Sequence, residues 1–347
     1  MAQPNGSAQG AGIAVLQKLD ITEHEAPSDS YPPISSIQST CSKRLFAAEN
    51  ERTSNSDDLA SDTVLYLAYG SNMSAQTFLG MRKIRPLSEM NVSVPTLKLN
   101  FSLPGIAYQE PCFANVEYRE PSEKEQLQLN GKWDGRLLGV VYEVTKADYR
   151  NIMRTEGGGT SYQEIIVPCV PIPTDGDASK LPKTFMARTL YAPRLPKGQD
   201  PCDRSWWERL TTGPYRHDSY YAQPSLRYLN LLRTGAEEHG LPGFYQDYLQ
   251  NLQPFTKTTM AQRVGGTLYL LAWGPIILLI MKLSSLFADE RGRAPKPLGT
   301  MATMSFNMAW MSYDSVYTRM FGEGERTQES ETSSAGQIKT EEGSQLR

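Results

Sequence analysis

The sequence predicts an α+β protein: a mixed, mostly antiparallel, barrel-like sheet with flanking helices. Three observations carry this prediction. Short apolar or alternating segments of strand length recur between Val64 and Tyr191, separated by turn residues. Helical patterns are few, and they fall between or after those strands. An uncharged run, 264–281, stands apart from the sheet pattern near the C-terminus and predicts a separate hydrophobic helix.

The elements follow in chain order. Residues 1–60 are rich in Ser, Gln, Asn, Pro and acidic side chains and are expected to be disordered. One apolar patch there, 12–19, suits a short helix. Residues 64–68 are nearly all apolar and read as a buried strand. A Gly-Ser-Asn turn and a helix-like stretch at 74–81 come next. Residues 91–103 alternate through Val92, Val94, Leu97, Leu99 and Phe101, which predicts a second strand, and 113–116 a short third. A charged loop occupies 117–136, then a strand at 138–144 and a helix at 146–155 with Tyr149, Ile152 and Met153 on one face. Strands are expected at 162–170 and 184–191 around a Pro/Asp/Gly loop. Helices are expected at 225–233 and 243–252; Pro242 stands near the first turn of the latter, where its missing N–H costs nothing. From Gly322 the chain is Gly, Glu, Ser and Thr and is expected to be disordered. The regions are therefore a disordered 1–60, a folded domain at 61–255, a hydrophobic segment at 260–320 and a disordered tail at 321–347.

Composition excludes several function classes. The 347 residues suffice for one large domain or two small ones, and a net charge of −3 offers no basic field for nucleic acid. Cys41, Cys112, Cys169 and Cys202 form no Cys-x-x-Cys pair, and His24, His217 and His239 lie far apart, so no zinc site is expected. Such cysteines suit reduced, partly buried thiols of a cytosolic protein. Residues 1–12 lack the basic-then-apolar pattern of a secretory signal, so the expected location is cytoplasmic.

The chemistry begins at Tyr69-Gly70-Ser71-Asn72. A strand running into such a turn exposes backbone N–H groups that can cradle a carboxylate or a phosphate, and Gly70 permits the turn and a close ligand approach. Alone, these residues are ordinary loop punctuation. Two further motifs accompany them. One is the strand and helix of 137–155, followed by Glu156, then Gly157-Gly158-Gly159 and Tyr162. The other is Pro224-Ser225-Leu226-Arg227-Tyr228-Leu229, then Gly235-Ala236-Glu237-Glu238-His239-Gly240-Leu241-Pro242 and Tyr245. In this order the three resemble the γ-glutamylcyclotransferase family over residues 62–253.

The resemblance implies a lyase that needs no metal or organic cofactor. The α-amine of a γ-glutamyl group attacks its own γ-carbonyl, giving 5-oxoproline and a free amine. Glu156 would be the general acid/base, and Tyr69, Gly70, Ser71 and Asn72 would bind the α-carboxylate or the developing oxyanion. By strand alternation Tyr66 and Ala68 face opposite to Tyr69, so Tyr69 is the tyrosine assigned to the site. Tyr162 would close one wall, although its spacing from Glu156 differs from the family pattern. Leu190 occupies the place of another family tyrosine, with Tyr191 one position away, which implies a larger or more apolar leaving group. The charged loop at 117–136 reads as an insertion with the same implication. The long tails and hydrophobic C-terminal segment resemble filamentous-fungal members, some of which serve sulfur-containing secondary-metabolite pathways such as gliotoxin biosynthesis.

The segment 264–287 stays open between two readings. A spanning helix needs about 20 apolar residues, Lys282 can snorkel, and Tyr269, Trp273 and the basic group Arg291, Arg293 and Lys296 suit an interface. Membrane attachment is therefore one expectation; docking against partners such as Met301, Met304, Met308 and Met311 is the other. For the whole chain, two alternatives to catalysis also stand: a non-catalytic protein that binds a γ-glutamyl ligand, and a membrane-anchored interaction protein.

Overall fold

A computed structural model describes residues 30–51, 61–120, 133–155, 163–173, 178–192, 205–211, 221–287 and 295–328. The strands are β1 (Thr63–Ala68), β2 (Ser88–Val94), β3 (Leu97–Ile106), β4 (Glu110–Tyr118), β5 (Leu137–Thr145), β6 (Gln163–Pro171) and β7 (Phe185–Tyr191). The helices are α1 (Ser42–Ala47), α2 (Lys146–Thr155), α3 (Trp206–Thr211), α4 (Leu226–Glu238), α5 (Gly243–Asn251), α6 (Met260–Leu286), α7 (Lys296–Ser312) and α8 (Thr318–Phe321).

Five strands close a barrel in the order β1-β5-β2-β6-β7, with β1 and β7 parallel and the other pairs antiparallel. Register decides which residues share a face. Leu67 and Met90 both pair with Val141, while Val167 pairs with Ala187 and Cys169 with Phe185. That face is apolar and buried, and each fully buried large side chain on it stabilises the fold by about 1.5–3 kcal/mol. On the other face Tyr66 pairs with both Tyr142 and Arg188, and Tyr142 also pairs with Glu89. The polar side chains near the site therefore come from the face that the helices cover: Tyr149 of α2 packs on Tyr66, and His239, just after α4, packs on Tyr142.

The structure revises several expected boundaries. The stretch 91–103 is two strands, because Pro95 and Thr96 turn the chain between β2 and β3. β3 then leaves the barrel to form a hairpin with β4, which is itself longer than the expected 113–116. The helix-like 74–81 is a π-helix, Gln76–Met81, and a single 3-10 turn, Ser71–Met73, precedes it. The base of the charged loop is closed by Arg119, which lies 3.3 Å from Asp134 Oδ2 and donates to the Asp134 carbonyl at 2.6 Å; residues 121–132 lie outside the described residues.

Part of each stretch expected to be disordered is folded. Residues 30–51 pack on the domain through Ile34, Leu45 and Ala48, and Thr40 bonds to the edge of β2 at Glu89. At the other end, Tyr108 in the β3–β4 turn holds the C-terminal strap. Its N–H donates to Gly324 and its phenol to Gly322, both at 2.7 Å. The apolar patch 12–19 and residues 329–347 lie outside the described residues. The hydrophobic run becomes α6, which carries Pro275 inside it and packs on α7 and on the β3–β4 turn.

Candidate active site

The Tyr69–Asn72 loop leaves the C-terminal end of β1; Tyr69, Ser71 and Asn72 are buried and Gly70 is half-buried. Two bonds close its turn: Met73 N–H to Gly70 O at 3.0 Å, and Ser74 N–H to Ser71 O at 3.1 Å. Among the described residues, the N–H groups of Gly70 and Ser71 make no hydrogen bond. Two such N–H groups side by side in a largely buried loop suit an anion or an oxyanion, since N–H groups withdrawn from water are nearly always paired. A side chain at 70 has little room, since its Cβ would lie 3.2 Å from Tyr228 Oη and 3.5 Å from Ala114 Cβ. Tyr228 itself takes the Ala114 N–H at 3.2 Å, so it ties the loop region to β4.

The two tyrosines of β1 divide their work. Tyr69 Oη donates to the Leu190 carbonyl at 2.7 Å and so fastens the loop to the end of β7. Asn72 Nδ2 donates to Tyr66 Oη at 2.8 Å, so the tyrosine in contact with the Asn72 side chain is Tyr66. Behind Tyr66 stands Tyr149, whose phenol donates to Glu164. Burial, reinforced by the Glu164 carboxylate, pushes the Tyr149 phenol well above its ordinary range, so it remains a donor. Arg188 pairs with the other oxygen of Glu164. Both oxygens of the Glu164 side chain are therefore taken up by partners, Tyr149 and Arg188.

The late motif holds the loop from behind. Gly235 is where α4 meets it: a Cβ there would fall 2.7 Å from the Met73 carbonyl carbon and 2.7 Å from Ser74 N. Glu238 Oε2 accepts the Ala75 N–H at 2.8 Å. Burial raises the Glu238 pKa above the usual carboxylate value, opposed by that bond and by nearby His239. His239 Nε2 lies 3.0 Å from the Met73 carbonyl and 2.7 Å from Tyr142 Oη. Its Nδ1 is 3.2 Å from Glu89 Oε2 but off the line of a hydrogen bond, so this contact is electrostatic and arises when the ring is protonated. Asn91 Nδ2 donates to the His239 carbonyl at 2.7 Å. Leu241 and Tyr245, the last residues of the motif, are core side chains.

The candidate acid/base Glu156 and the candidate wall residue Tyr162 lie outside the described residues. Their flanks are placed. α2 ends at Thr155, and β6 resumes with Gln163 opposite Tyr191 and Glu164 opposite Leu190, the residue that Tyr69 fastens. Leu190 is buried, and its neighbour Tyr191 meets Tyr118 edge-on with ring centroids 5.9 Å apart. The structure thus brings Tyr69, Gly70, Ser71 and Asn72 together with Leu190, Tyr66 and Tyr228.

Sequence reasoning passed over Tyr66 and did not single out Tyr149, Glu164, Arg188 or the Glu89–His239–Tyr142 cluster. His239 and Tyr228 were within reach, since both stand inside the late motif. Cys112 and Cys169 are buried free thiols and Cys41 an exposed one; burial pushes the Cys112 thiol well up, so it is inert. Among the described residues no group of three or more His, Cys, Asp or Glu side chains is placed to hold a metal ion.

Residues 259–320 match a family described as the AclK C-terminal domain. The chain is 30% identical over 269 residues to a γ-glutamyl cyclotransferase, gliK, of Aspergillus fumigatus, covering 76% of this chain and 89% of that protein. It is 27% identical to a γ-glutamyl cyclotransferase, aclK, of Aspergillus oryzae, over 76% of this chain and 90% of that one. Among solved structures, one titled γ-glutamyl cyclotransferase aligns with 57% of this chain and 92% of its own, at 20% identity and a TM-score of 0.38.

Proposed function

The chain belongs to the γ-glutamyl cyclotransferase family, and from that premise we propose that it closes a γ-glutamyl amide upon itself. The α-nitrogen forms a bond to the γ-carbonyl carbon, and the bond from that carbon to the amide nitrogen breaks. The products are 5-oxoproline and a free amine. Because the nucleophile and the carbonyl belong to one chain, ring closure supplies most of the proximity; such reactions reach effective molarities on the order of 10⁵ M or more. The protein must fold the glutamyl chain, move one proton and stabilise the oxyanion.

In this reading Glu156 takes the proton from the ammonium and returns it to the leaving nitrogen. The N–H groups of Gly70 and Ser71 meet the oxyanion or the α-carboxylate. One observation carries the reading: these two N–H groups have no partner among the described residues, in a largely buried loop gripped by Gly235 and Glu238 of α4 and by His239 just after it. We place the substrate among γ-glutamyl amino acids, glutathione and its S-conjugates. The resemblance to fungal members favours a conjugate of a sulfur-containing secondary metabolite, and Leu190 in place of a tyrosine favours an apolar leaving group.

The test identifies both products by mass spectrometry from γ-glutamyl-alanine, glutathione and a bulky S-alkyl glutathione. The expected result is 5-oxoproline with the matching free amine, released fastest from the S-conjugate. Binding of these compounds without release of either product would establish a γ-glutamyl-binding protein instead.

A further inference from the structure

α6 is apolar on the side it turns to solvent as well as on the side it packs. Inward, Tyr269, Ile277 and Ile280 are buried, Gly265 and Gly266 let Phe321 and Tyr108 close against the helix, and Trp273 Nε1 donates to Ser312 Oγ at 3.0 Å. Outward, Val264, Leu268, Leu271, Ile276 and Leu279 are 48%, 44%, 68%, 42% and 58% exposed. Their spacing makes one ribbon along the helix. Exposed Arg263 and Lys282 bound it, about 28 Å apart at 1.5 Å per residue. No Asp or Glu occurs between residues 256 and 287.

Three kinds of occupant suit such a ribbon, and its charges separate them. A second copy of this chain would pair α6 with itself. Antiparallel pairing sets Arg263 against Lys282, and parallel pairing sets each against its like, with no carboxylate on the helix to compensate. A bilayer crossing fits by length and composition. It would require the helix to leave Tyr108, Phe321 and the α7 contacts, and to break the Gln262 Nε2 bond to the Glu323 carbonyl at 2.6 Å. An anionic lipid surface asks for neither. It takes an apolar ribbon lying in the interface plane with cations at its ends and no acidic residue between them.

We propose that α6 is a monotopic docking helix that seats the protein flat on an anionic membrane surface through Val264, Leu268, Leu271, Ile276 and Leu279, with Arg263 and Lys282 at the headgroups. The inner face of the helix stays with the protein, and α6 does not cross the bilayer.

The test is co-sedimentation of the full chain with phosphatidylcholine vesicles, with and without phosphatidylserine. The expected result is pelleting with the phosphatidylserine vesicles and release by an alkaline carbonate wash. The paired change Leu271→Glu and Leu279→Glu should weaken binding by on the order of a hundredfold. The pair Arg263→Gln and Lys282→Gln should weaken binding to anionic vesicles by about thirtyfold. Circular dichroism of both variants should match the unaltered chain. Failure to pellet with anionic vesicles would overturn the proposal, as would retention after the carbonate wash, which marks a span. A lipid-free dimer that Leu271→Glu and Leu279→Glu dissolve would equally overturn it. None of these readouts uses catalysis, so they stand or fall apart from the cyclotransferase reading.

Discussion

His239 Nε2 stands 3.0 Å from the carbonyl oxygen of Met73, the residue that follows the Tyr69–Asn72 loop. Through this contact the late motif reaches the first. The loop needs a fixed backbone if Gly70 and Ser71 are to present their N–H groups, and His239 is one of its fixings. Replacing His239 by alanine leaves the Met73 carbonyl and the Glu89 carboxylate without the ring. We expect a loss of about 2 kcal/mol in urea unfolding. The variant should also raise KM, and His239→Gln, which keeps a donor for Met73, should recover part of both effects. Unchanged KM in His239→Ala would show that the contact supports only the fold.

Gly235 gives a sharper version of the same argument. A Cβ at this position meets the Met73 and Ser74 backbone at 2.7 Å, and backbone cannot swing aside as a long side chain can. Gly235→Ala is expected to destabilise by about 2 kcal/mol and to lower kcat/KM by moving the loop. Gly243→Ala is the control: nothing lies within 4 Å of its Cβ, and it opens α5, so its stability should hold or rise by about 0.5 kcal/mol. Thermal melts and steady-state kinetics on the two variants check the contrast.

The β1 tyrosines make separable predictions. Tyr66→Phe deprives the Asn72 amide of the acceptor at 2.8 Å and should raise KM about fivefold. Tyr69→Phe releases the Leu190 carbonyl, and its main expected cost is about 1 kcal/mol of stability. A larger kinetic effect at Tyr69 than at Tyr66 would support Tyr69, the tyrosine that strand alternation assigns to the site, as the one nearer the substrate.

Much of this arrangement was legible in the sequence, and what was missed has physical causes. The first and late motifs meet because each has a residue type that its place demands, such as Gly235 at the close approach to Met73; Glu156 and Tyr162 of the middle motif lie outside the described residues. The β2–β3 turn left a trace as well: the apolar phase runs through Val92 and Val94, then shifts to Leu97 and Leu99 across Pro95. The π-helix at Gln76–Met81 left none, since its residues suit an α-helix equally. Tyr66 was passed over because a tyrosine on a buried strand reads as core until its phenol is seen to meet Asn72. The exposed face of α6 was illegible because the helix is apolar all round.

Glu238 supplies a pH signature. Burial raises its pKa in the folded state above the unfolded value. Relative to Glu238→Gln, its contribution to stability is therefore fully present in acid, below the unfolded pKa, and is lost as pH rises through the folded pKa. Urea unfolding of the two proteins across the acid range should show the stability difference, native minus Glu238→Gln, falling as pH rises toward neutrality. A difference that grows with pH would mean that the Ala75 and His239 interactions outweigh burial.

The most direct test of the central claim is the initial rate of 5-oxoproline release from an S-alkyl glutathione by the native chain and by Glu156→Gln. A single carboxylate that moves the proton in both directions contributes about 10²–10⁴ in rate. The account predicts release by the native chain and a loss of at least about a hundredfold in the variant, with substrate binding retained. Equal release by both would contradict Glu156 as the acid/base, and no release by either would contradict the cyclotransferase reading itself.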